Sequence, residues 1–482
     1  MPPTIPITAD PSLPESTRHV LESISKQFHL PDERLHAITN QFVKDFALGL
    51  GEYAKPMAMI PTFVTGVPDG TEKGTFLALD LGGTNLRVCE VQLNGDKTFK
   101  LRQQKYKMSE ILKTGEATAL FDYLADSVDS FLTERGLDLE DQEELHLGLT
   151  FSFPVEQSAL DKGILLTWTK GFAAKNAVGN DVVRLLQDAF DRKHLHVKCV
   201  ALVNDTVGAL LSRAYTSGGC LLGAIFGTGT NGAYVEDVKN ITKLGNSAAA
   251  AKGGKMIVNT EWGAFNNTRS ILPTTPHDNK LDRESINPKF QAYEKFISGM
   301  YLGEITRNLL LSLIDSAPPV LFKGNSTPVL NSHYGFDTAF MSDIEAATSV
   351  KDIKAVIVQN LGFEDDQVSD QDAEIVRWAC ELVATRAAKL SGCAVAAVAI
   401  QTGHARLGGG FSKDDSKLAV GVDGSLVQFY PGFETRLRAS LRACVGEDVE
   451  KRVEIGMAKD GSGVGAALCA LQAIKQNTRQ PV

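Results

Sequence analysis

From position 14 to 54 apolar residues return every three or four positions (Leu21, Ile24, Phe28, Leu35, Ile38, Phe42, Phe46, Leu50), with a break at Pro31-Asp32. That period predicts two amphipathic helices. Residues 57–74 lose the period and gather Pro61, Gly66, Pro68, Asp69 and Gly70, which predicts a loop. The pattern then shifts to short apolar runs alternating with helical stretches. Residues 76–81 and 86–93 read as a hairpin, and 101–108 as a third strand. Residues 117–132 carry a helical stripe, and 146–153, 181–190, 197–203 and 206–215 follow as strand, helix, strand, helix.

From Cys220 the same order begins again. An apolar strand at 221–226 ends in Gly-Thr-Gly-Thr-Asn, and 232–235 begins a return strand. Helical stretches follow at 288–315 and 370–392. Residues 418–429 read as strand around an Asp423-Gly424 turn, then 433–444 as helix, 453–458 as strand and 463–476 as a closing helix. Residues 236–258 and 316–370 carry no assignable period. Two halves that each open with strand, glycine loop and strand predict an internally duplicated α/β fold with a cleft between them.

The chain has 482 residues, enough for two or more packed domains. Its 58 acidic and 49 basic side chains give a net charge of −9, which argues against nucleic acid or an anionic membrane as the main partner. Seven scattered cysteines form no CxxC pair, which predicts buried free thiols and a reducing, cytoplasmic setting. No apolar run approaches the roughly 20 residues that span a bilayer. The first residues, MPPTIPITADPSLP, lack the basic start and apolar core of a secretory signal and read as a flexible arm.

The chemistry concentrates in glycine-rich stretches. In FLALDLGGTNLRV (76–88), Asp80 ends a strand and Gly82-Gly83 form a turn without Cβ atoms, so backbone N–H groups can approach an anion. Thr84 and Asn85 add polar side chains at the tip. The stretch suits phosphates with a carboxylate facing their metal ion, though the same residues also make ordinary hairpins. Gly227 to Gly232 satisfies GxGxxG, but Ala233-Tyr234-Val235 continues as strand and no acidic residue lies near position 252. The context thus argues against a dinucleotide fingerprint, and no GxxxxGK[ST] is present. Residues 227–231 read instead as a second loop facing the first. The stretch 460–467, DGSGVGAA, lies at a strand-to-helix junction where small residues let a nucleoside approach the backbone. Gly408-Gly409-Gly410 reads as a surface loop.

Asn204-Asp205-Thr206 follows an apolar strand. Asp205 reads either as part of a helix cap or as a general base for a hydroxyl nucleophile. Ser152, Thr169, Lys170, Asn231, Glu261 and Glu294 are further polar residues in apolar surroundings and together suit a site that reads hydroxyl groups. His194 and His196 have metal-ligand spacing but no third ligand nearby. No GxSxG or HExxH supports a hydrolase.

Taken together, LDLGGTNLRV (79–88), LTFSFPVEQ (149–157), WTKGF (168–172), VNDTVGAL (203–210), IFGTGTNGAY (225–234), NTEWGAF (259–265), YEKFISGMYLGE (293–304) and DGSGVGAAL (460–468) resemble the hexokinase family, from about 17 to 474. ITKLGN (241–246) and KDGSGVGAALCAL (459–471) look most like its fungal glucokinase branch. The resemblance implies a duplicated actin-like ATPase (ribonuclease H-like) fold whose small and large domains close over glucose or another hexose, with ATP and Mg²⁺. It implies an arm at 1–16, a helical segment of the large domain at 17–74, and a small domain at 75–205. The large domain follows at 206–458, and 459–482 form an adenosine loop and a helix packing back on the small domain.

The resemblance also implies roles. Asp205 is the expected base, with Lys170 and Arg87 stabilising charge. Ser152, Thr169, Lys170, Asn204, Asp205, Asn231, Glu261 and Glu294 are expected on the sugar. Asp80 faces the metal. Gly82, Gly83, Thr84, Asn85, Lys105, Gly227, Thr228, Gly229 and Thr230 are expected on the phosphates, and Gly461, Ser462, Gly463 and Gly465 on the adenosine. Met300 stands where vertebrate members carry a lysine near ATP, and 404–417 reads as an insertion. Broad hexose specificity, or a catalytically silent sugar sensor, are the alternatives. Oligomeric state is left open.

Overall fold

Two sheets with the same strand pattern organise the chain in the computed structural model, which describes residues 7–9, 11–82, 85–135, 144–168, 171–410 and 416–478. In chain order the strands are β1 (Ile60–Pro61), β2 (Lys73–Leu81), β3 (Asn85–Asn94), β4 (Phe99–Lys107), β5 (Leu145–Phe151), β6 (Val155–Ala159) and β7 (Lys162–Leu165). They continue as β8 (Val197–Val203), β9 (Leu222–Phe226), β10 (Thr230–Asp237), β11 (Lys255–Asn259), β12 (Leu418–Asp423) and β13 (Val453–Met457). The first sheet runs β4-β3-β2-β5-β8 and the second β1-β11-β10-β9-β12-β13. Each holds three antiparallel strands, β2 to β4 or β9 to β11. Two parallel strands continue each sheet, β5 and β8 or β12 and β13. The duplication expected from the two glycine loops is thus written in the backbone hydrogen bonds.

The helix that ends each half crosses to the other. Asp205–Ser217 follows β8 and packs on β9 and β12, while Gly461–Thr478 follows β13 and packs on β2, β5 and β8. The two helices meet almost backbone to backbone. A Cβ on Gly465 would lie 2.2 Å from Gly208 Cα, and one on Gly208 would lie 2.5 Å from the Gly461 carbonyl oxygen. Only glycine allows that approach. Val207, Leu210, Val464 and Leu468 join Ala78 of β2 and Ile257 of β11 in one core between the sheets.

Helices Glu15–Phe28 and Asp32–Gly51 fall on either side of Pro31 and bury the stripe read from the sequence. Helix Asp370–Gln401 continues past 392. It is long and apolar enough to cross a membrane by composition, yet 83% of its most apolar window is buried within the fold, so here it is a core helix. Other expectations are corrected. The 288–315 helix is broken at extended Ser298 into Ala292–Ile297 and Gly299–Ile314. The 418–429 strand stops at Asp423, and Gly424, at φ 122°, turns the chain into a short helix, Ser425–Phe429. The unassigned 236–258 contains β11. All seven cysteines are free thiols, six of them buried.

Candidate active site

The end of β8 delivers the central carboxylate. Asn204 caps the following helix: its Oδ1 accepts from Thr206 N at 3.0 Å and from Thr206 Oγ1 at 2.7 Å. Asp205 therefore begins the helix, where the N-terminal dipole favours an anion, and its Oδ1 accepts from Thr206 N at 2.9 Å. The cap and the acid are neighbours, so the two readings of this motif describe two residues.

Beside them is a small cavity lined by Phe151, Phe153, Gln157, Leu202 and Asn204, by Asn259 and Glu261, and by Ile60 and Thr62 at β1, which pairs with the second sheet. Asn231 on β10 donates through Nδ2 to Glu261 Oε1 at 3.1 Å. Glu294, on Ala292–Ile297, accepts from Thr230 N at 3.0 Å. Ser152 follows β5 between two cavity-lining phenylalanines. Thr169 and Lys170 lie outside the described residues. Their neighbour Trp168 packs on Phe153 and Phe172, with ring centroids 4.9 and 5.3 Å away, and donates through Nε1 to Ala174 O at 2.8 Å.

The phosphate-seeking residues form a row across the first sheet. Thr150, Asp80, Arg87 and Lys105 are successive cross-strand partners on β5, β2, β3 and β4, so they share one face. Arg87 donates to Asp80 Oδ2 through Nε at 2.9 Å and Nη2 at 2.5 Å, and its Nη2 also reaches Ser462 Oγ. Burial works to lower the Arg87 pKa, but the Asp80 charge and hydrogen bonds outweigh it and raise it. Arg87, expected to meet transferring charge, is paired with Asp80 in this structure. Gly82 N donates to Asn85 O at 3.0 Å to close the turn, and Gly83 and Thr84 lie outside the described residues.

The second loop is held by the next helix. Gly299 N donates to Gly227 O at 2.7 Å and Met300 N to Thr228 O at 3.1 Å. A Cβ on Gly229 would lie 2.8 Å from Glu294 Oε2, so a larger residue there would displace that carboxylate. Thr228 is exposed and opens into a cavity of about 500 Å³. Its walls include Met300, Leu426 and Phe429, with hydroxyls from Thr338, Ser342 and Ser425.

The expected adenosine loop lies away from the lining of that cavity. Gly461, Gly463 and Gly465 are buried, Gly461 and Gly465 against helix Asp205–Ser217 and Gly463 against Cys89. All three serve close packing, and Ser462 between them is half-buried. Within that stretch Ser462 meets the phosphate-seeking row, through Arg87 and through Thr150 Oγ1, which donates to Ser462 O at 2.8 Å. Gly424-Ser425, at an equivalent strand-to-helix junction, is the sequence signal for the cavity and was read as a plain turn.

A hard divalent cation fits Asp80 in a limited way. One carboxylate, with an oxygen already taken by Arg87, suits an ion held through water and through nucleotide phosphates. Among the described residues the cluster with metal-ligand geometry is Glu284, Glu304 and His333. Its acids are already paired, Glu304 with Arg307 and Glu284 with Lys280.

A duplicated α/β fold with a helix-start carboxylate beside an interlobe cavity and a glycine loop bordering a larger one defines a small-molecule kinase on the actin-like ATPase scaffold. Two family models, both described as hexokinase, match residues 20–215 and 221–472. The chain belongs to the hexokinase family. It is 42% identical to a glucokinase of Aspergillus niger over 95% of this chain and 97% of that one. It is 38% identical to glucokinase-1 of Saccharomyces cerevisiae over 94% of this chain and 97% of that one. Among solved structures, a hexokinase from Schistosoma mansoni complexed with glucose superposes with a TM-score of 0.80 at 35% identity, covering 94% of this chain and 98% of that one.

Proposed function

We propose that this chain transfers the terminal phosphoryl group of ATP to the 6-hydroxyl of glucose, with mannose and fructose as further candidate acceptors. The observation that carries the reading is Asp205 at a helix start beside the interlobe cavity, with Asn204 adjacent and Glu261, held by Asn231, on the opposite wall. The S. mansoni relative's description as a glucose complex supports the same choice.

Asp205 accepts the proton of the attacking hydroxyl as the new P–O bond forms. Asn204, Asn231, Glu261 and Glu294, with Ser152, Thr169 and Lys170, orient the hexose. The 227–230 loop and Lys105 receive the phosphates, and the nucleoside enters the cavity beside Thr228. Mg²⁺, when bound through Asp80 and water, neutralises phosphate charge. Closure of the two halves excludes water, a competing nucleophile. Seven free cysteines support a cytoplasmic setting.

The test is a coupled assay with ATP and, in turn, glucose, mannose and fructose. Glucose 6-phosphate formation is expected. Binding of glucose without product would favour the sensor, and equal efficiency on all three would favour a broad hexokinase.

A further inference from the structure

We propose that Asn259, at the end of β11, is a positioning residue that fixes Glu261 and Asn231 against the sugar; this rests on the hexose reading above. Asn259 is 4% exposed and lines the small cavity together with Asn204 and Glu261. The hydrogen bonds around it run in one direction. Gly232 N donates to Asn231 Oδ1 at 2.8 Å, which fixes the acceptor end of that amide. Asn231 Nδ2 is then a donor, to Asn259 Oδ1 at 2.9 Å and to Glu261 Oε1 at 3.1 Å. With Oδ1 accepting, Asn259 Nδ2 donates onward to Glu261 Oε1 at 2.8 Å. One carboxylate oxygen thus takes two amide N–H groups, and the direction of the other oxygen follows.

Glu261 needs such a hold. Its φ of 54° lies in the left-handed region, which a non-glycine residue occupies only under backbone strain. Strand pairing does not require the Asn259 amide, since its backbone already lies opposite Ala233 and Ile60. The side chain spends its hydrogen bonds on two residues of the hexose wall, and a buried amide without such partners is costly.

The test compares hexose kinetics and intrinsic tryptophan fluorescence titration in the wild type, Asn259→Asp and Asn259→Ser. In Asn259→Asp a carboxyl of nearly the same shape replaces the donor that faces Glu261. Glucose KM is expected to rise about tenfold to a hundredfold at pH 8, with ATP KM and kcat within about threefold. The rise should shrink towards pH 5.5, because a proton shared by two close carboxyls restores a donor. Asn259→Ser, which cannot span to Glu261, should raise KM without that pH dependence. Unchanged glucose KM in both variants, or a rise in Asn259→Asp that ignores pH, would overturn the positioning role alone. Failure of the wild type to bind glucose would overturn the hexose reading as well.

Discussion

The turn between β2 and β3 and the turn between β9 and β10 occupy matching places in the two sheets, yet they carry different chemistry. One residue pair in from the first turn is Asp80 opposite Arg87, an ion pair. One pair in from the second is Ile225 opposite Asn231, and Asn231 reaches across to Glu261. The first turn closes through Gly82 N donating to Asn85 O and the second through Gly227 N donating to Gly229 O, and the second is also held by the start of Gly299–Ile314 and by Glu294. Duplication supplied the geometry twice. The pair beside each turn differs: an ion pair in one copy, and in the other an amide that, in the proposed function, faces hydroxyl groups.

That division can be broken by exchanging losses. Asp80→Asn should cut turnover about a hundredfold while glucose binding stays within a few-fold. Asn231→Ala should weaken glucose binding about tenfold or more with a smaller effect on turnover. Steady-state kinetics with fluorescence titration would show it, and matching profiles for the two variants would erase the distinction.

The joint between the halves is the next test. Gly465→Ala places a methyl group against Gly208 and should cost about 1–3 kcal/mol, read as a lower denaturation midpoint. An unchanged midpoint would mean that the crossing can yield.

The smallest effect concerns pH. His277 is buried in the large core, and burial is the main cause that lowers its pKa below 6.5, with Asp278 opposing and Arg386 adding to it. Below about pH 6.5 the unfolded chain takes up this proton more readily than the folded one. The contribution is therefore complete above that pH and lost as pH falls. Midpoints measured from pH 7.5 to 5 should decline less steeply in His277→Asn than in wild type.

Much of this was legible in the sequence because the signals were long. The helical stripe on either side of Pro31 and the repeated strand–loop–strand openings needed no tertiary knowledge. Short elements escaped. Ser425–Phe429 has five residues, too few for a period, and β6 alternates between half-buried and exposed positions without an apolar face. The break at Ser298 was hidden because Phe296, Ile297, Tyr301 and Leu302 are buried on both sides of it, and the loop carbonyls that receive Gly299 N and Met300 N come from 72 residues earlier. The site residues were legible where a strand end or a helix start exposed them, as with Asp80 and Asp205. The glycines at 461–465 carry a second signal, because close packing of two helices selects small residues as strongly as a ligand does.

Asp205→Ala is the most direct test of the central claim. Phosphorylation of glucose should slow by about two to four orders of magnitude, while glucose affinity stays within a few-fold of wild type. Near-normal turnover in that variant would remove Asp205 as the base and contradict the mechanism built around it.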